Sequence, residues 1–331
     1  MEFLLEVKNL ETSFFTRRGE VQALRNVSFT LRQGEIVGLI GESGCGKSVT
    51  ALSILRLLPA SGRIKSGQIL FKGSSLLQLS QQKMEELRGT RISMVFQNSL
   101  SSLNPVLTIG AQMEEIIRYH KKVNKVAARQ RVVELLHWVG ISAPEERVNY
   151  YPHQLSGGQR QRVMIAMAIS CEPELLLADE PTTALDVTLQ VQILNMIRDL
   201  NRKFSTSVLL ITHDLGIIAN TCSKVLVMYG GQIMEQGSVE DIFYQPMHPY
   251  TQGLLKTILD LRNGRRGELF CMEGAPPSLL NPPPGCPFAW RCPYSMRICL
   301  KSPSIFWGTS THYASCHLLD ESCPLKGSNK W

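Results

Sequence analysis

The stretch Gly41-Glu42-Ser43-Gly44-Cys45-Gly46-Lys47-Ser48-Val49 sets three glycines, a lysine and a hydroxyl at the spacing G-x-x-x-x-G-K-[ST]. Glycines let a loop turn its N–H groups inward onto nucleotide phosphates. The lysine can neutralise β- and γ-phosphate charge, and the serine hydroxyl can ligate the Mg²⁺ that bridges the same oxygens. The apolar run Glu35-Ile-Val-Gly-Leu-Ile40 ahead of the loop reads as a strand, and a helix is expected from Lys47 to about Leu57, adding its positive N-terminus to the site. That strand-loop-helix context separates the motif from a tight turn.

A second apolar strand, Leu175-Leu-Leu-Ala-Asp179, ends in a carboxylate suited to positioning Mg²⁺, and Glu180 follows it as a candidate general base or water-orienting group. An Asp-Glu pair alone is usually a surface pair; at the end of an apolar strand and downstream of a phosphate loop it reads as the other half of a site. Between the two lies Leu155-Ser156-Gly157-Gly158-Gln159, in which the glycines permit close backbone approach and Ser156 can donate to a γ-phosphate oxygen at the start of a helix running through Ile169.

The phosphate loop, Gln97, Ser156–Gln159, Asp179-Glu180 and His213, in that order, resemble the ABC ATPase family over residues 1 to about 258. The resemblance implies further roles. Phe96-Gln97 corresponds to the Q-loop, where Gln97 reaches Mg²⁺ or the attacking water; Thr183-Ala-Leu-Asp186 to the D-loop, with Asp186 communicating across a dimer; and His213 to the switch histidine, which binds the γ-phosphate. Phe14 is the candidate adenine-stacking aromatic, with Phe15 as runner-up. In this family the signature, matched here by Leu155–Gln159, closes in one subunit on the phosphate loop of its partner, so a dimer is expected.

These residues need an α/β scaffold to position them. Strands are expected at Leu4–Leu10, Ala23–Leu31, Glu35–Ile40, Ile69–Phe71, Ile92–Phe96, Leu175–Ala178, Ser207–Thr212 and Lys224–Tyr229. From about 98 to 170 strand signals give way to helical periodicity, as in Ala127–Val139, which reads as a helical subdomain inserted into a nucleotide-binding domain of residues 1–260. Residues 261–331 turn rich in Pro, Gly and Cys and read as a small C-terminal extension.

Lys plus Arg exceed Asp plus Glu by 35 − 28 = 7, a mild excess that suits anionic surfaces without choosing among them. No apolar run approaches the roughly 18 residues of a bilayer span, and the N-terminal residues lack a signal-peptide pattern, so a cytosolic chain is expected. In a reducing compartment the nine cysteines point to metal ligation rather than disulfides. Cys45, Cys171 and Cys222 are scattered and read as small buried hydrophobes, while six others crowd the tail, Cys271 and Cys323 being the weaker ligand candidates.

Pro282-Pro-Pro-Gly-Cys286-Pro-Phe-Ala-Trp-Arg-Cys292 through Cys299, then His312-Tyr-Ala-Ser-Cys316-His, resemble the tail of peptide-importer ATPases, a pattern nickel importers largely share. Leu58-Pro-Ala-Ser-Gly-Arg-Ile, Leu87-Arg-Gly, Ser102-Leu-Asn-Pro and His248-Pro-Tyr-Thr resemble the same dipeptide/oligopeptide group, whereas Gln97-Asn-Ser departs from its Gln-Asp-Pro. The resemblance implies an ATPase subunit bound to two transmembrane permease subunits at the cytoplasmic face of the membrane. A second, non-identical ATPase subunit and an extracytoplasmic peptide-binding protein complete the expected complex, and no nucleic-acid partner is expected. A nickel or metal-chelate cargo is the alternative within the class. A non-transport ABC ATPase acting on nucleic acid or ribosomes is the alternative outside it, although such proteins usually carry tandem cassettes or a long coiled-coil insertion and this chain shows neither. Relatives with cysteines spaced as Cys286, Cys292, Cys299 and Cys316 carry a [4Fe-4S] cluster; zinc and unligated thiols are the alternatives. None of the phosphate-binding groups lies in this tail, so the two regions are expected to act independently.

Overall fold

A computed structural model describes residues 3–97, 102–183, 185–262, 272–301 and 305–323. Cys271, Asn98, Ser99 and Ala184, singled out above, lie outside the described residues. Among the described residues twelve strands run in chain order: β1 (Phe3–Thr16), β2 (Gly19–Arg32), β3 (Ile36–Ile40), β4 (Gly62–Phe71), β5 (Ser74–Ser75), β6 (Ile92–Val95), β7 (Leu175–Asp179), β8 (Ser207–Ile211), β9 (Lys224–Tyr229), β10 (Gln232–Ser238), β11 (Ile305–Trp307) and β12 (Tyr313–Ser315). The helices that matter for the site are α1 (Lys47–Ile54), α2 (Ile109–Lys121), α3 (Lys125–Trp138), α4 (Gly157–Ile169), α5 (Val187–Phe204), α6 (Leu215–Thr221) and α7 (Pro249–Arg262).

The chain divides into two compact units. One comprises Met1–Leu4, Leu31–Ile36 and Gln78–Ile211; the other comprises Leu5–Thr30, Val37–Leu77 and Thr212–Trp331. The described residues of the Pro- and Cys-rich tail therefore belong to the same unit as the phosphate loop.

In the first unit β6, β7 and β8 are parallel, in the order β8-β7-β6, with Ile92 opposite Leu175 and Leu175 opposite Ser207. Every residue of β7 and β8 is buried, as expected of parallel strands whose two faces are both covered, and this explains their unbroken apolar sequences. α2 and α3 turn Met113, Ile117, Ala128, Val132, Leu135 and Leu136 inward, the helical spacing that the sequence shows. Thr108 caps α2 and Asn124 caps α3, each accepting the N–H three residues on.

In the second unit one sheet has the order β2-β1-β4-β5, with β1 and β4 antiparallel. In the other, β9 runs parallel to β3 and antiparallel to β10. The tail adds β12 beside β10 and β11 beyond it, so a segment whose composition disfavours central strands supplies two short strands at the sheet's end. Strand β10, Gln-Ile-Met-Glu-Gln-Gly-Ser, is too polar to stand out in the sequence, yet Glu235 within it is fully buried. Its carboxylate accepts the backbone N–H groups of Met247 and His248, each at 2.8 Å, and lies 2.8 Å from Nε2 of His312 in the tail.

Candidate functional site

The phosphate loop leaves β3 at Gly41 and enters α1 at Lys47. Gly41 has φ 154°, and a Cβ there would lie 2.0 Å from the carbonyl oxygen of Met228; Gly46 has φ 111°, and its Cβ would meet the carbonyl of Ala23 at 2.7 Å. Both positions demand glycine on backbone conformation and on space. The Lys47 ammonium is buried and donates to the loop's own carbonyls, Gly41 at 2.8 Å and Glu42 at 3.0 Å, with Cys45 Sγ 3.8 Å away. The helix is shorter than expected, ending at Ile54.

In the same unit the Phe14 ring packs on Gly62, where a Cβ would meet it at 2.9 Å, while Phe15 is exposed with the Arg63 guanidinium 5.7 Å from its ring centre. His213 follows β8 and is exposed; Asp214 beside it caps α6, accepting the N–H groups of Gly216 and Ile217.

In the other unit β7 delivers Asp179, buried, and Glu180, whose φ of 46° puts a non-glycine residue in the left-handed region. Glu180 Oε2 accepts 2.8 Å hydrogen bonds from Gln97 Nε2 and from Thr183 Oγ1. The structure thus joins the Q-loop amide to the carboxylate that follows β7, and it adds the hydroxyl of Thr183, a contact that its place in Thr183-Ala-Leu-Asp186 does not signal. Ser156 caps α4 in a capping box: its Oγ accepts from Gln159 N–H and Gln159 Oε1 accepts from Ser156 N–H. Ser156 and Gly157 face solvent, while Gly158 packs under Leu189. Asp186 caps α5 through Leu189 N–H, a local role beside the one expected of it.

Cys286, Cys292, Cys299 and Cys316 line one pocket in the second unit, together with His248, Tyr294 and His317. Their thiols are unbonded to one another, and burial pushes those of Cys286 and Cys316 up to about 12 and that of Cys292 up to about 11. His248 is buried with its Nδ1 accepting Tyr250 N–H, which leaves the proton on Nε2; that atom has no hydrogen-bond partner among the described residues. Burial depresses its pKa to about 3. Among the described residues no three His, Cys, Asp or Glu side chains are grouped closely enough to hold a metal ion, so the cluster expected from the cysteine spacing is not preformed as a ligand set.

The tail, expected to act independently of the phosphate loop, touches it through the side chain of Arg291. Arg291, next to Cys292, donates through Nη1 to both carboxylate oxygens of Glu42 in the phosphate loop, at 2.9 and 2.8 Å, and to the hydroxyl of Tyr229 at 2.9 Å. Nothing in local spacing signals a contact across 249 residues.

These features are those of an ATP-binding cassette. The family model "ABC transporter" matches residues 24–183, and "Oligopeptide/dipeptide transporter, C-terminal region" matches residues 234–299. The chain is 51% identical over 323 residues to the oligopeptide transport ATP-binding protein OppD of Bacillus subtilis (strain 168), covering 97% of this chain and 90% of that protein. It is 52% identical over 325 residues to the dipeptide transport ATP-binding protein DppD of the same organism, with 97% and 96% covered, and 46% identical over 314 residues to OppD of Escherichia coli (strain K12), with 95% and 92% covered. A dimeric ATP-binding cassette, MJ0796, solved with ADP and Pi, superposes with a TM-score of 0.65 at 27% identity over 71% of this chain and 98% of that one. The chain belongs to the ABC transporter family, among its oligopeptide and dipeptide transport ATP-binding proteins, and is an ATPase coupled to transport.

Proposed function

We propose that the chain hydrolyses ATP to drive uptake of dipeptides or oligopeptides through an ABC importer. The observation that carries this reading is identity of about half, across nine-tenths or more of both chains, to proteins named for oligopeptide and dipeptide transport. Lys47 and the loop N–H groups would hold the phosphates, Phe14 the adenine, and His213 the γ-phosphate. Ser48, Gln97 and Asp179 each carry an oxygen donor of the kind Mg²⁺ takes and would hold the ion, which would neutralise phosphate charge. Glu180, steadied by Gln97 and Thr183, would orient or deprotonate the attacking water. Ser156, Gly157, Gly158 and Gln159 would meet the nucleotide of a second, non-identical ATPase subunit, with Asp186 at that interface.

Two permease subunits and an extracytoplasmic peptide-binding protein would complete the complex at the cytoplasmic face of the membrane; no helix among the described residues is long and apolar enough to cross it. Reconstitution with the permeases tests the reading. Labelled peptide should accumulate with ATP and fail to do so with Lys47→Ala, whereas transport of nickel in place of peptide would overturn the cargo.

The division into an ATPase part, residues 1–260, and an extension, 261–331, is part of this proposal, and so is a [4Fe-4S] cluster on Cys286, Cys292, Cys299 and Cys316. Four thiols and one unpartnered buried N–H facing a shared pocket suit a thiophilic group with hydrogen-bond-accepting sulfur. The group would supply crosslinking of a segment too poor in apolar residues to order itself.

A further inference from the structure

Among the described residues the tail meets the phosphate loop at the carboxylate of Glu42. Arg291 Nη1 bridges both carboxylate oxygens, while the rest of the guanidinium is spent on backbone carbonyls, Nε on Glu273 and Nη2 on Met272. The backbone N–H of Glu42 is held separately, by the hydroxyl of Tyr250 at 3.0 Å. The two hydroxyls involved, of Tyr229 and Tyr250, sit on rings packed 4.5 Å apart, and Phe288 of the tail closes against both at 5.4 and 5.3 Å. All three rings are fully buried, so the strut is rigid.

Glu42 is a carboxylate inside a loop whose chemistry is to attract polyphosphate. Left unpaired, it would repel the ligand that Lys47 and the loop N–H groups draw in. We propose that Arg291 and Tyr250 are positioning residues for nucleotide binding, Arg291 by neutralising and aiming Glu42 and Tyr250 by fixing the loop's backbone at the same residue. The proposal rests on the reading of residues 41–48 as the phosphate site. It makes the tail a contributor to ATP affinity through a side chain that touches no nucleotide.

The test is ATP affinity of the full chain, read by displacement of a fluorescent nucleotide. Arg291→Ala should raise the ATP Kd about tenfold, as expected for loss of a charged hydrogen-bond partner. KM should rise more than kcat falls. Adding Glu42→Gln to Arg291→Ala removes the carboxylate that needs neutralising and should return the Kd to within about threefold of the parent, a rescue that a merely structural role would not give. Arg291→Lys, unable to reproduce the fork, should fall between, and Tyr250→Phe should weaken binding several-fold. If Arg291→Ala does not fold, as judged by thermal unfolding and near-ultraviolet circular dichroism, Arg291→Lys with and without Glu42→Gln carries the same comparison. Unchanged ATP affinity in a folded Arg291 variant, or no rescue by Glu42→Gln, overturns the proposal. Lys47→Ala separates the two readings: ATP bound as tightly as in the parent would sink the phosphate-site assignment itself.

Discussion

Gln97 and Glu180, 83 residues apart in the chain, are joined by a 2.8 Å hydrogen bond from the amide Nε2 to Oε2. Thr183 Oγ1 holds the same oxygen, and φ of 46° turns Glu180 off the end of β7, so the carboxylate is oriented before nucleotide arrives. Glu180→Gln should therefore keep ATP bound and lower turnover by at least about 100-fold, the usual scale for loss of a general base. Steady-state hydrolysis in the assembled transporter measures it, and near-parental turnover would remove the role given to Glu180.

Thr183→Val tests whether the second donor matters. With the Thr183 hydrogen bond to Oε2 gone, kcat should drop several-fold while ATP affinity stays at the parental value, since the hydroxyl holds the carboxylate and not the phosphates. An affinity loss without a kcat loss would assign Thr183 elsewhere.

Gly41→Ala should abolish nucleotide binding. The added methyl would sit 2.0 Å from the Met228 carbonyl, a backbone atom that cannot swing aside, at a φ that side-chain-bearing residues avoid. Titration with ATP and thermal unfolding together distinguish this from simple loss of fold: the midpoint should fall, yet a cooperative transition should remain.

Anaerobically purified protein should contain about four irons and four sulfides per chain if the four cysteines hold one cubane, and Cys292→Ser should bleach it. Because Arg291 adjoins Cys292, the same substitution should also weaken ATP binding. Stoichiometric zinc without iron would refute the cluster.

His312→Ala should destabilise the chain by about 1–3 kcal/mol, since it strips the imidazole partner from a carboxylate with no solvent exposure and leaves it the N–H groups of Met247 and His248. Urea denaturation of the variant against Glu235→Gln/His312→Ala resolves the cause, as the double variant removes the buried charge and should recover part of the loss.

Most of the site was legible because its chemistry is local. Gly41, Gly46, Lys47 and Ser48 sit in one loop, Asp179 and Glu180 end one apolar strand, and Ser156 with Gln159 spells out a capping box in four residues. The all-buried strands β7 and β8 were legible for the same reason. What escaped was non-local. β10 hides its strand character behind Gln232, Glu235 and Gln236, and Glu235 is tolerable in the interior because two backbone N–H groups, of Met247 and His248, and the imidazole of His312, 77 residues on, come to meet it. Arg291 reads as one more cation in a cysteine-rich run until Glu42 is seen beside it. Periodicity and spacing carry no information about partners so far apart.

The knot at Glu235 also has a bearing on when the molecule becomes complete as it is made. Translation releases the chain from its N-terminal end, and the phosphate loop emerges some 250 residues before Arg291, as β10 emerges well before His312. Until Arg291 and His312 leave the ribosome, the carboxylate of Glu235 lacks its imidazole and that of Glu42 lacks its guanidinium. Both contacts therefore form only after the strand and the loop they serve have already been made.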